Sequence, residues 1–314
     1  MRLAGTRPIA VLALAALPAL APAAPSSAAA PATAPTTAPA TAPATAHAPA
    51  GKGRAPRPLE ILLTNDDGFA APGLAAVRQA LTAAGHRVTV VAPATDQSGR
   101  GAGMTATIGA RITARQESPG VWSVGGTPAD SVLFGMAVVF KDRRPDLVVS
   151  GANYGQNTGS LVNHSGTVGA AVTGLEQRVP AIAVSTEYDL EAGPAATARA
   201  FPATARYTAD LIDRLGRAAG SGAVLPPGVA LNVNYPITEG GPKGTRLTRV
   251  GRTAFFALTY TPAGDGSYVI GGRADDTAET VRNADTTALA ADHVSVTPLD
   301  GDWSHPAGGF SLPR

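Results

Sequence analysis

An apolar run, Leu59–Thr64, stops abruptly at Asn65-Asp66-Asp67-Gly68, and the next apolar residues, Leu74, Val77 and Leu81, recur at the spacing of a helix face. Gly85 closes that helix, because glycine accepts the left-handed conformation of a C-terminal cap. The valine-rich run Arg87–Ala92 then reads as a second strand, ended by Pro93. Strand, helix and strand in this order wind right-handed and leave the two strands parallel. The pattern recurs. Ser131–Phe140 reads as a helix and Leu147–Ser150 as a strand. Val168, Ala171, Val172 and Leu175 mark a further helix, and Ala181–Ser185 a buried strand. Ala195–Arg217 is alanine-rich and helical, its regular part beginning near Pro202. Val229–Tyr235 is a strand closed by Pro236. This alternation predicts an α/β fold, a parallel sheet with helices on both faces. The stretch from about Thr245 to Pro313 breaks the pattern. Its short strand-like runs at Thr253–Thr261, Ser267–Ile270 and His293–Pro298 predict a β-rich C-terminal arm, of a kind that serves in oligomer contacts.

The chain has 314 residues, and the first 57 have a different composition from the rest. Residues 1–24 have the form of a secretory signal: Arg2 and Arg7, an apolar run from Ile9 to Leu20, and the small residues Ala21-Pro22-Ala23. That run is shorter than the roughly 20 residues a spanning helix needs, and no other candidate span follows. Residues 25–57 are almost wholly Ala, Pro, Thr and Ser; they have no large apolar side chains to bury and are expected to be a linker, a wall spacer or a glycosylated stalk. The expected location is extracytoplasmic, either released or associated with the cell wall. Residues 58–314 are long enough for one domain with a real core. Five of the 25 basic residues and none of the 23 acidic ones fall in residues 1–57, which leaves the domain at 20 basic against 23 acidic, a net of −3. That balance argues against coating a nucleic-acid polymer. Cysteine is absent, which excludes disulfides, thiol nucleophiles and thiolate zinc sites.

In an open parallel sheet, ligands bind beyond the carboxyl ends of the strands. Three polar loops leave such ends: Asn65-Asp66-Asp67-Gly68, then Thr95–Gly101 with Ser98, and then Ser150–Asn157 with Asn153. Together they offer two carboxylates, a hydroxyl and amide carbonyls. That all-oxygen set suits magnesium, manganese or calcium and suits zinc poorly. Adjacent carboxylates ionise reluctantly unless a cation lies between them; taken alone, the same four letters also make a surface turn. His164-Ser165-Gly166-Thr167-Val168 precedes a helix, where free backbone N–H groups and the helix dipole favour an anion such as phosphate. A plain cap by Ser165 or Thr167 is the simpler reading of that stretch taken alone. His164 either hydrogen-bonds the anion or packs beside it.

The chain resembles the SurE family of metal-dependent survival-protein nucleotidases. The matching stretches are Ile61–Gly68, Ala71-Pro72-Gly73, Val91-Ala92-Pro93 with Gln97-Ser98-Gly99, and Gly126–Asp130. They continue through Pro145–Asn153, Ser165–Val168, Leu231–Pro236 and Val294–Leu299, in the family's order and across nearly all of the domain. The resemblance implies a Rossmann-like three-layer fold with a swapped C-terminal arm, and release of phosphate from nucleoside 5′- and 3′-monophosphates. It implies one divalent cation, Mg2+ or Mn2+, at Asp66, Asp67, Ser98 and Asn153, with Asp66, Asp67 and Asn153 catalytic. Asn157, Ser165, Gly166 and Thr167 match phosphate-lining positions. A homodimer or homotetramer is expected, without stable membrane insertion. Three departures, Ala70, Thr158-Gly159-Ser160 and His164, are expected near the cleft mouth, where they bear on substrate preference.

The expected chemistry is metal-assisted hydrolysis, with Asp66 or Asp67 accepting a proton from water and Asn153, Asn157 and the Ser165–Thr167 amides stabilising charged oxygens. A P-loop is unsupported, since no Gly-Lys-Ser/Thr occurs. The rival is an exported non-catalytic protein that captures a nucleotide or phosphate on the same fold.

Overall fold

The computed structural model of the chain describes residues 57–190 and 193–302. The signal expected over 1–24 lies outside the described residues, as does the linker expected over 25–57 except for Arg57.

A nine-stranded sheet forms the centre, in the order β3-β4-β2-β1-β5-β6-β7-β11-β8. Its members are β1 (Glu60–Thr64), β2 (Arg87–Pro93), β3 (Ala114–Ser118), β4 (Val121–Val124), β5 (Leu147–Tyr154), β6 (Ala181–Thr186), β7 (Ala230–Tyr235), β8 (Thr245–Leu247) and β11 (Val294–Leu299). From β4 through β7 every neighbouring pair is parallel. The strand β3 runs antiparallel to β4, and β11 antiparallel to β7.

Alternation along β1 sends its side chains into two cores. Ile61 and Leu63 pack with Leu74, Val77 and Leu81 of α1 (Pro72–Ala83) and with Phe201, Ala205 and Ile212 of α4 (Pro194–Ala219). Leu62 faces the other way, among Val132 of α2 (Pro128–Phe134) and Val168, Ala170 and Ala171 of α3 (Gly166–Glu176). Leu62 is fully buried, so Leu62→Ala is expected to cost about 2–5 kcal/mol. The α/β reading, with a largely parallel sheet between two helical layers, is the observed architecture.

Several local expectations are corrected. The helix expected over Ser131–Phe140 begins earlier, capped by a reciprocal Thr127–Asp130 pair, and gives way to one π turn at Gly135–Val139. Gly135 lies on Leu62, whose Cδ1 would stand 2.5 Å from any added Cβ. Pro202 does not begin the regular part of α4 but lies inside it, on the exposed side, where solvent can satisfy the carbonyl left without an N–H partner. The strand expected to end at Ser150 continues to Tyr154 through a bulge between Ser150 and Asn153.

The C-terminal portion is also divided differently. Its last strand, β11, joins the central sheet beside β7, and the short helix α5 (Asp285–Ala290) precedes it. Only β9 (Phe256–Pro262) and β10 (Tyr268–Ala274) form a separate antiparallel hairpin, and residues 258–273 are a compact unit distinct from the body. Its turn is closed by Ala263 N–H to Ser267 O at 3.0 Å, and it exposes Leu258, Tyr260, Tyr268, Val269 and Ile270. No described helix is long and apolar enough to cross a membrane.

Candidate active site

The strand β1 has β2 on one side and β5 on the other. The chain leaves β1 for α1 on one face and leaves β5 for α3 on the opposite face. Divergent exits from adjacent strands open a crevice at their carboxyl ends, the topological switch point of the sheet.

The loop after β1 is shaped by its own side chain. Asn65 Nδ2 donates to Gly68 O at 3.0 Å, and Gly68 N–H donates to Asn65 Oδ1 at 3.2 Å. Gly68 takes φ +103°, which glycine adopts freely. Asp66 and Asp67 are thereby presented side by side, Asp66 buried and Asp67 partly exposed. The loop after β2 is tied to this one, since Gln97 N–H donates to Asp66 O at 2.8 Å. Ser98 follows directly, its N–H and hydroxyl both donating to Asp96 Oδ1, at 2.8 and 2.6 Å. From β5, Tyr154 lies within the field of the Asp67 carboxylate. The neighbouring Asn153 donates its Nδ2 to Gly155 O at 2.8 Å, leaving Oδ1 as its free acceptor. The three loops therefore converge at one crevice.

The start of α3 closes onto Asp66. Thr167 Oγ1 donates to Asp66 Oδ1 at 2.5 Å. Gly166 lacks a Cβ where one would stand 2.8 Å from Asp66 Cβ and 2.9 Å from Oδ2. Any larger residue there would push the helix away from the acid. Ser165 caps the helix, its Oγ accepting Val168 N–H at 3.0 Å. Asn157 is buried as well, and its Nδ2 donates to Ser185 Oγ at 2.9 Å. Of the residues expected to line phosphate, Thr167 and Asn157 thus already have donors engaged within the protein, while Ser165 Oγ, used as an acceptor, retains its hydroxyl proton.

The electrostatics are lopsided. Burial raises the pKa of Asp66, and the charge of Asp96 adds to the rise against the bond from Thr167. Burial, Asp66 and Asp96 together lift Asp67 well above the ordinary carboxylate range. No Lys, Arg or His forms an ion pair with any of the three among the described residues. Buried like charges with no counter-charge, ringed by hydroxyl and amide oxygens, suit a hard divalent cation. No group of three or more His, Cys, Asp or Glu in ligating arrangement occurs among the described residues; Asp96 acts on the pair through its charge.

Asp96 is the residue that sequence reasoning missed; its signal was its place in the polar loop after a strand, two residues before Ser98. The departures were misplaced in part. Ala70 and His164 are exposed, but Thr158 and Gly159 are buried. Gly159 N–H bonds the buried Asp285 carboxylate at 3.1 and 3.2 Å, and an added Cβ would lie 1.8 Å from Thr253 O. That loop is fastened to the C-terminal portion rather than open at the cleft mouth.

The fold and crevice define a doubly wound α/β protein with an acidic, oxygen-lined switch point. The profile described as Survival protein SurE matches residues 61–256. A protein named 5'-nucleotidase SurE from Methanocella arvoryzae is 40% identical over 251 residues, covering 78% of this chain and 92% of that one. Another of that name, from Rhodopseudomonas palustris, is 37% identical over 250 residues, covering 78% and 94%. The crystal structure of the SurE protein from Aquifex aeolicus superposes with a TM-score of 0.64 at 31% identity, over 78% of this chain and 94% of that one. The chain belongs to the SurE family.

Proposed function

We propose that the protein is a metal-dependent nucleotidase that releases phosphate from nucleoside 5′- and 3′-monophosphates. The observation that carries this reading is the pair Asp66 and Asp67 at a switch point, Asp66 buried and bonded by the start of a helix, with no Lys, Arg or His paired to either among the described residues. Membership of a family whose relatives are named 5'-nucleotidase supports the substrate class.

Asp66, Asp67, Ser98 and Asn153 would hold one Mg2+ or Mn2+. Such a cation, when bound, neutralises phosphoryl charge and lowers the pKa of water. Asp66 is enclosed by Thr167 and Gly166, so its carboxylate would serve as an orienting ligand. Asp67 is partly exposed and is the carboxylate with room to take a proton from water. Ser165, Gly166 and the free donor of Asn157 would face phosphoryl oxygens, and Thr167 would secure the helix start that presents them. Residues 1–24 would direct export and residues 25–57 would tether the catalytic domain, 58–314, outside the cytoplasm. The apolar side chains exposed on the hairpin support self-association as a homodimer or homotetramer.

The test is release of inorganic phosphate from a panel of nucleoside 5′- and 3′-monophosphates with Mg2+ or Mn2+ and with a chelator. Release that depends on the cation is expected. Tight binding of nucleotide with no release under any cation would replace this reading with a non-catalytic binding protein.

A further inference from the structure

The segment from Asn153 to Gly159 carries one expected cation ligand and one expected phosphate contact, and its centre is held from beneath by two strands. Asn232 and Asn234 alternate with Val233 along β7, so both side chains leave the face of the sheet that α3 covers. Both are fully buried. Asn234 grips the backbone of Asn157 at two points: its Oδ1 accepts the Asn157 N–H at 2.7 Å, and its Nδ2 donates to Asn157 O at 3.3 Å. Asn232 Nδ2 donates to the same carbonyl at 2.8 Å. On β6, Ser185 Oγ accepts the Asn157 carboxamide at 2.9 Å. Three fully buried side chains therefore fix one loop residue at its N–H, its carbonyl and its side chain.

Fold stability alone does not call for such an arrangement. The same face of the same strands carries Ala181, Ala183 and Ala230, so apolar residues pack there. Buried carboxamides are costly unless bonded, and Asn232 Oδ1 has no partner. The bonds are spent on orientation. With one N–H held by Ser185, the Asn157 carboxamide cannot swing, and its second N–H keeps one direction. We propose that Asn232, Asn234 and Ser185 are positioning residues that set the Asn157 donor before phosphate arrives. This rests on the nucleotidase reading above. The three residues do not touch substrate; they act through Asn157, and misplacement of such a donor by about 1 Å can cost on the order of 10²-fold.

The test compares the full-length protein with Asn232→Ala, Asn234→Ala and Ser185→Ala, measuring KM and kcat for a nucleoside monophosphate with Mn2+, inhibition by inorganic phosphate, and thermal unfolding. A rise of about ten-fold in both KM and the phosphate inhibition constant is expected for Asn234→Ala, and of about three-fold for Ser185→Ala. A purely structural role would lower the active fraction, and with it kcat, while leaving KM and the inhibition constant where they were. Ser185→Ala removes only a hydroxyl and decides the matter if the Asn variants do not fold. Unchanged KM and inhibition constants in the folded variants, with an active wild type, would overturn this inference alone. A wild type without turnover would overturn the nucleotidase reading and this inference together.

Discussion

The neighbouring strands β1 and β5 hold carboxylates at both ends, in opposite surroundings. At the amino end, Arg57 meets Asp146 with two bonds, at 2.8 and 3.1 Å, while Arg87 and Arg143 both reach Glu60. Burial pushes the Asp146 pKa up, but the bonds from Arg57 and the Glu60 N–H, with the charges of Arg57 and Arg87, hold it below the ordinary value. At the carboxyl end, Asp66 and Asp67 form no ion pair with a basic residue among the described residues; burial and the charge of Asp96 raise both, and Asp66 raises Asp67 further. The amino end is completed by the protein's own charges. The carboxyl end has no such match among the described residues, and in the proposed function a divalent cation would supply it. A protein that needed those carboxylates only for folding would have matched them as it matched Glu60 and Asp146.

The largest effect that would sharpen this contrast is on turnover. Asp67→Asn is expected to remove phosphate release almost completely, while Asp146→Asn leaves kcat/KM as it was; comparable losses in both would erase the distinction between the two ends. Next comes stability. A divalent cation at about 100 times its dissociation constant should add about 2.7 kcal/mol to wild-type unfolding and nothing to Asp67→Asn, read by thermal or denaturant melts. At the amino end, Asp146→Asn should cost only about 1 kcal/mol, since Arg57 is half exposed and screened. Because the folded Asp146 pKa is depressed, that contribution is present above the unfolded value near pH 4 and is lost as pH falls through the folded one. The smallest effect belongs to Glu187, beyond the carboxyl end of β6, whose pKa burial lifts to about 6. The folded state takes up this proton more readily than the unfolded chain, so its penalty is present above about pH 6 and is relieved as pH falls through that value. Glu187→Gln should flatten this part of the stability profile, and an unaltered slope would remove Glu187 as its source.

The parts of this arrangement that were legible in the sequence are those with a local signature. The period-two and helical patterns gave β1, α1, β2, β6 and β7 to within a residue or two at most ends, because each is stabilised by its own apolar face. Asp66, Asp67, Ser98 and Asn153 were visible because each lies in a polar loop after such a strand. The structure brings these loops together at one crevice. The extension of β5 was not visible, since Gly151 and Ala152 have no strand pattern and the pairing is made through a bulge against β6. The edge strand β3, Ala-Arg-Gln-Glu-Ser, is wholly exposed and reads as a polar loop; only its pairing with β4 makes it a strand. Asp96 and the Asn232–Asn234 pair escaped for a related reason. Their significance lies in partners remote in sequence, 75 residues away for Asn232 and Asn157, and single-residue chemistry does not announce a distant partner.

Calorimetric titration of the apo protein and of Asp67→Asn with Mn2+ tests most directly whether the carboxyl ends of β1 and β5 lack a charge by design. One cation per wild-type chain, with the binding lost in the variant, is expected. Equal binding by both proteins, or none by the wild type, would contradict it.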